Sequence, residues 1–369
     1  MNALHILYNG QIVTLDARQP RVSALALRDG RVVAAGSDAD MLALAGAGST
    51  RENLNGRTVL PGLVDAHIHW EWTARAMQQV NVFEVPSREA AAQRVAAFAA
   101  RLPAGEWITG HGWSQEYWAD RQFPDKSALD HAAPAHPVYL RAKSGHAAWV
   151  NSAALAAAGI SASTPDPQGG QIVRGADGQA SGLLLETAMS LVANAIPAPT
   201  PEQLAAQMLS AQQKALASGL TGIHDFDNPS CMAALQVLRE RGQLALRVVK
   251  QINKAWLEHA LALGVRTGFG DEWIRIGALK LFADGALGAR TALMVTPYEG
   301  EPHNTGIVVT EKEEMLRLVA QASAAGVSAT IHAIGDRAVH DVLDVYEVVR
   351  GQEAAPAPPP PPPPQRHEQ

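Results

Sequence analysis

Four apolar runs of strand length recur along the chain: "HPVYLRA" (136–142), "GLTGIHDF" (219–226), "WIRIGALKLF" (273–282) and "GVSATIHAIG" (326–335). Helical segments lie between several of them. Residues 201–218 have Thr200 as N-cap, Pro201 at the first helical position, Gln203 to complete a capping box and Gly219 as the stop. Residues 311–325 and 336–350 also show helical spacing, as in Val339, Val342, Leu343 and Tyr346. Strands that are apolar on both faces and joined by helices bury themselves in a parallel sheet, so the class is α/β, either a barrel or a doubly wound sheet. No G-x-G-x-x-G phrase follows an early strand, which weakens the dinucleotide-binding form. The first sixty residues differ. "LHILYNGQIVTLD" and "VSALALRDGRVVAAG" alternate around Asn9-Gly10 and Asp29-Gly30, two dipeptides that suit two-residue hairpin turns. The expected organisation is a small β domain over 1–58 and a larger α/β domain over 59–350. Residues 72–135, richer in Trp, Pro and polar side chains, read as an insertion over the site.

Composition narrows the function. Of 369 residues, 47 % are apolar and 18 % charged, and the net charge is −6 without a basic run, so nucleic acid is not an expected partner. Cys231 is the sole cysteine, which rules out an intrachain disulfide. The opening "MNALHILYNG" is a poor signal peptide, and the alanine-rich stretches are too interrupted to span a bilayer. A soluble, cytoplasmic protein acting on a small molecule is expected, with a homo-oligomer compatible and no membrane partner.

The chemistry begins at "LPGLVDAHIHW" (60–70). In a strand, His67 and His69 point to the same face, about 7 Å apart by strand rise, and two neutral imidazoles can share a metal ion. An isolated H-x-H is also satisfied by hydrogen bonds at a strand end. Lys280, inside "IRIGALKLF", must be paired, neutralised or chemically altered if it is buried; it can instead escape at the strand end or pair with Asp284. His332 closes "VSATIH", where it is either a core histidine or a ligand. All four residues fall at C-terminal strand ends, the face on which α/β barrels build their sites.

These phrases resemble the amidohydrolase superfamily, in particular amidohydrolase family 3, the YtcJ-like branch. The resemblance is carried by "LPGLVDAHIHW", "GHGWSQEYW", "PVYLRAKSGHAAWVNSAAL", "GLLLETAM", "GLTGIHDF", "IGALKLFADGALGARTAL" and "IHAIGDRA", in family order. It implies a (β/α)8 TIM-type barrel with a composite β-sandwich domain and hydrolysis of non-peptide C–N bonds. It implies that His67 and His69 bind one divalent ion, that Lys280 carries CO2 as a bridging carbamate, and that His332 binds a second ion. Carbamate formation needs a neutral amine, which burial favours. Zinc is the favoured metal, as one ion or two, for mixed imidazole and oxygen ligands. "GHGWSQEYW" and "SGHAAWVNS" are expected as loops over the site, with Trp113 as a pocket wall and His146 as a polariser of the substrate carbonyl. Asp225 is a further strand-end candidate; Asp284 and Asp336 also suit helix starts.

The family pattern continues with a strand-six histidine and an aspartate after strand eight, and neither is found here. Instead "EAAPAPPPPPPPQRHEQ" closes the sequence, read as a proline-rich disordered tail over 351–369 in which His367 is not expected to bind metal. The expected fold is therefore an incomplete barrel of about five strands out of eight with a partial composite β domain, and a truncated product with impaired activity. Alternatives are an inactive fragment and a partner-dependent binding protein that uses its polyproline tail.

Overall fold

The computed structural model describes residues 3–288 and 290–354; the proline run and His367 lie outside the described residues. The chain divides into two compact units. One runs to Ala66 and takes in Ala215–Ile223; the other holds His67–Lys214 and the chain from His224 onward.

The first unit contains a four-stranded sheet in the order Arg31–Gly36, Ala24–Arg28, His5–Tyr8, Thr50–Asn53, and a three-stranded sheet in the order Arg21–Val22, Gln11–Val13, Thr58–Val59. Asp29 and Gly30 both adopt positive φ, 52° and 74°, and close the hairpin between Ala24–Arg28 and Arg31–Gly36. Asn9-Gly10 corrects the second hairpin expectation. Only Asn9 has positive φ, and the strands on either side enter different sheets. A two-residue hairpin loop of this kind needs both positions in that region. Gly10 instead meets a packing need, because a Cβ there would lie 2.4 Å from a Leu54 methyl.

A five-stranded sheet carries the candidate metal ligands His67, Lys280 and His332, with His69 just after its first strand. Its strands are β1 (Leu63–Ile68), β2 (Leu220–Asp225), β3 (Arg247–Asn253), β4 (Ile274–Phe282) and β5 (Ala329–His332), hydrogen-bonded in the order β5-β4-β3-β2-β1. β3 runs parallel to β4, and β4 to β5. The bond from Leu63 N to Gly219 O joins the starts of β1 and β2, and that from Phe226 N to Ile68 O joins their ends, so this pair is parallel too. Helices α1 (Trp70–Ala76), α2 (Pro201–Ala217), α3 (Pro229–Glu240), α4 (Lys312–Ala324) and α5 (Asp336–Ala354) accompany it. The capping box of α2 forms as expected, with Thr200 N donating to Gln203 Oε1 at 2.9 Å and Gln203 N to Thr200 Oγ1 at 3.3 Å. Of the apolar residues cited for α5, Val342 is buried, whereas Val339 and Leu343 are exposed. No helix among the described residues is long and apolar enough to cross a membrane.

Two strand assignments need correction. "HPVYLRA" does not join the parallel sheet. Val138–Ala142 belongs to a separate six-stranded mixed sheet, in the order Gly170–Arg174, Ala180–Glu186, Ala147–Val150, Val138–Ala142, Ile108–Trp113, Val80–Asn81. The third parallel strand is instead β3, whose Lys250 and Gln251 hid it from a search for apolar runs. Lys250 is buried because Asp225 at the end of β2 pairs with it, Nζ to Oδ2 3.0 Å, and because Nζ also donates to the Asp227 backbone carbonyl. Gln251 Oε1 accepts from Ala278 N at 2.6 Å where the β3–β4 register slips. β3 thus meets its neighbours partly through satisfied polar groups.

Replacing Lys250 by Met leaves the Asp225 carboxylate buried without its cation. The variant is expected to lose about 3–5 kcal/mol of stability in urea unfolding. A change under about 1 kcal/mol would show that the pair does not hold β2 to β3.

Candidate metal centre

His67, His69 and His332 stand at strand ends. His69 follows β1 and is the N-cap residue of α1. Trp70 N, in the first turn of α1, donates to Asp225 Oδ1 at 2.8 Å, and Asp227 N donates to Asp225 Oδ2 at 3.2 Å. One buried carboxylate therefore ties the end of β1 to the end of β2, while Lys250 balances its charge. The His67 and His69 rings lie on that tied end with centroids 5.9 Å apart. His69 Nδ1 lies 3.0 Å from Asp227 Oδ1. Burial and the nearby Asp225 charge push the Asp227 carboxyl pKa up, and the bond to His69 opposes them.

Lys280 is buried, 3 % exposed, within β4. Its Nζ lies 4.9 Å from the centroid of Phe226 and 4.6 Å from that of Phe282. Phe226 also stacks on His67 at 4.0 Å, so one apolar ring touches both the imidazole and the amine. Burial lowers the Lys280 pKa. The expected alternative partner, Asp284, is occupied otherwise. Its buried carboxylate accepts from Leu293 N (2.8 Å), Ile334 N (3.0 Å) and Gly335 N (2.8 Å), tying the segment after β4 to the segment after β5. Gly335 is required there, since a Cβ would lie 1.8 Å from Leu293 O. Asp336 opens α5 and accepts from Val295 N and Arg337 N, each at 2.8 Å.

His332 packs on Phe282 with centroids 5.4 Å apart, and its Nε2 lies 2.7 Å from Gly285 O. A carbonyl oxygen only accepts, so Nε2 donates here, and in the neutral ring Nδ1 keeps the lone pair. The order His69, His67, Phe226, Lys280, Phe282, His332 is thus a chain of neighbours in space. The histidines are not drawn onto one point. Among the described residues, the group of three or more His, Cys, Asp or Glu with ligand atoms all within 4.8 Å is Asp225, Asp227 and Cys231. That cluster already holds the Lys250 ammonium through Asp225, and burial pushes the Cys231 thiol pKa up, so it is a poor home for a second cation. The paired imidazoles and an amine biased toward its neutral form fit a divalent ion better.

Trp113 requires correction as a pocket wall. It is fully buried beside Trp118 and Trp149, and its indole N–H donates to Leu140 O at 2.8 Å. The phrases expected as loops supply strands: "GHGW" ends Ile108–Trp113, and Ala147–Val150 is buried throughout. His146 stands just before the latter, exposed, with Nδ1 3.0 Å from Glu186 Oε2. Sequence reading missed Phe226, Asp227 and Lys250. The signal for Asp227 was its i, i+2 spacing from Asp225, which brings a second carboxylate to the same strand end.

A family model described as "Amidohydrolase family" matches residues 52–359. The chain is 33 % identical to the putative amidohydrolase YtcJ of Bacillus subtilis over 349 residues, covering 93 % of this chain and 65 % of YtcJ. It is 31 % identical to the protein LONG AFTER FAR-RED 3 of Arabidopsis thaliana, covering 93 % of this chain and 61 % of that protein. It is 29 % identical to the N-substituted formamide deformylase of Arthrobacter pascens, covering 95 % and 67 %. The chain thus spans about two-thirds of the length of these relatives. A crystal structure of an uncharacterized metal-dependent hydrolase from Pyrococcus furiosus aligns with a TM-score of 0.79 at 28 % identity, covering 94 % of this chain and 70 % of that one. By fold and by sequence, the chain belongs to the amidohydrolase family.

Proposed function

We propose that the chain forms the metal-binding part of a hydrolase acting on non-peptide C–N bonds. The observation that carries this reading is the imidazole pair His67 and His69 at the end of β1, joined through the Phe226 ring to the buried amine of Lys280 on β4. Family membership and the deformylase relative support the bond type. The parallel five-stranded sheet, with its candidate ligands at C-terminal strand ends, is read as five of the eight strands of a barrel.

His67 and His69 would hold the first ion through ring nitrogens, with zinc as the favoured metal. Lys280, as its CO2 adduct, would supply two oxygen ligands, and His332 would offer Nδ1 to a second ion. Bound divalent ions supply Lewis-acid polarisation of the substrate carbonyl and activation of water. The residues prepare that chemistry. Burial of Lys280 favours the neutral amine that would combine with CO2, with loss of one proton to solvent. The exposed His146 is the proposed contact to the substrate carbonyl, its ring oriented by Glu186.

His67→Ala is expected to abolish tight zinc binding while the protein stays folded, as read by zinc titration alongside circular dichroism. Unchanged stoichiometry in that variant would contradict the assignment. Lys280 yields a pH signature in the metal-free protein. Between its lowered folded pKa and the ordinary value of about 10.4, the unfolded chain binds a proton that the folded chain does not. Stability is therefore expected to rise with pH across that window, and Lys280→Met to remove the rise. Urea midpoints measured at a series of pH values decide this, and an identical slope in the variant rejects the neutral amine.

A further inference from the structure

We infer that Asp227 is a positioning residue that selects the tautomer of His69, an inference that rests on His69 being a metal ligand. His69 Nδ1 lies 3.0 Å from Asp227 Oδ1. The other oxygen of the same carboxylate accepts from two backbone amides at the start of α1, Glu71 N at 2.6 Å and Trp72 N at 3.3 Å. The Asp227 backbone is held as well, its N–H by Asp225 Oδ2 and its carbonyl by Lys250 Nζ. These bonds hold the carboxylate against the ring, and in its ionised form it only accepts. Nδ1 must carry the proton, which leaves the lone pair on Nε2 for an ion.

This arrangement makes an isosteric change informative. In Asp227→Asn the amide oxygen is required by the Glu71 and Trp72 N–H groups, because an amide NH2 placed there would set donor against donor. The NH2 then faces Nδ1, which must accept, and the ring proton moves to Nε2. A residue that merely filled space or capped the helix would tolerate Asn. A residue that selects the tautomer would not.

The test reads the tautomer without metal. Long-range 1H–15N spectra of the metal-free protein, at a pH where the ring is neutral, are expected to show His69 protonated on Nδ1 in the wild type and on Nε2 in Asp227→Asn. Zinc affinity, measured by competition with a chromophoric chelator, is expected to fall by roughly 10–100-fold in Asp227→Asn and in Asp227→Ala. An Nε2–H tautomer in the wild type overturns the inference and needs no variant to fold. So does an Asp227→Asn protein that keeps Nδ1–H and wild-type zinc affinity. If His67→Ala leaves zinc affinity unchanged, the reading of the metal centre fails, while the tautomer spectra still judge Asp227 separately.

Discussion

The ion pair between Asp225 and Lys250 is the contact on which the site depends. Both groups are buried, and a buried charge survives only when paired and hydrogen-bonded. Asp225 meets that condition by accepting from Trp70 N and Asp227 N as well as from Lys250. These three partners tie the ends of β1 and β2 to the middle of β3. His67 and His69 sit where they do because Trp70, the next residue, is held at that junction.

β4 solves the same electrostatic problem differently. Lys280 is as buried as Lys250, yet its ammonium position is flanked by the rings of Phe226 and Phe282. Faces of aromatic rings attract a cation weakly compared with a carboxylate at 3 Å. Burial therefore biases Lys280 toward the neutral amine, while Lys250 is paired with the Asp225 carboxylate. Two lysines on adjacent strands thus stand in different electrostatic surroundings, and the difference lies in what faces them rather than in their burial.

How far the sequence foretold this follows the range of the interactions. Local signals were legible: the positive-φ demand at Asp29-Gly30 and the reciprocal bonds of Thr200 and Gln203 form as read. The H-x-H spacing brought His67 and His69 side by side, as strand geometry requires. Non-local partnerships were not legible. An apolar run at 138–142 does not say which sheet it joins, and β3 was hidden because Lys250 looks polar until Asp225 is known to face it. Trp113 has the composition of a pocket residue, and only its packing on Trp118 and Trp149 reveals a core position. Asn9-Gly10 had the right residues for a hairpin, but its flanking strands found better partners elsewhere.

The resting place of a divalent ion decides whether His67 and His69 are metal ligands. Anomalous diffraction at the zinc edge, from crystals grown with zinc, locates it directly. A peak about 2.0–2.1 Å from a ring nitrogen of both His67 and His69 is expected. A peak among Asp225, Asp227 and Cys231 with Lys250 displaced, or none beside the paired imidazoles, would contradict this assignment.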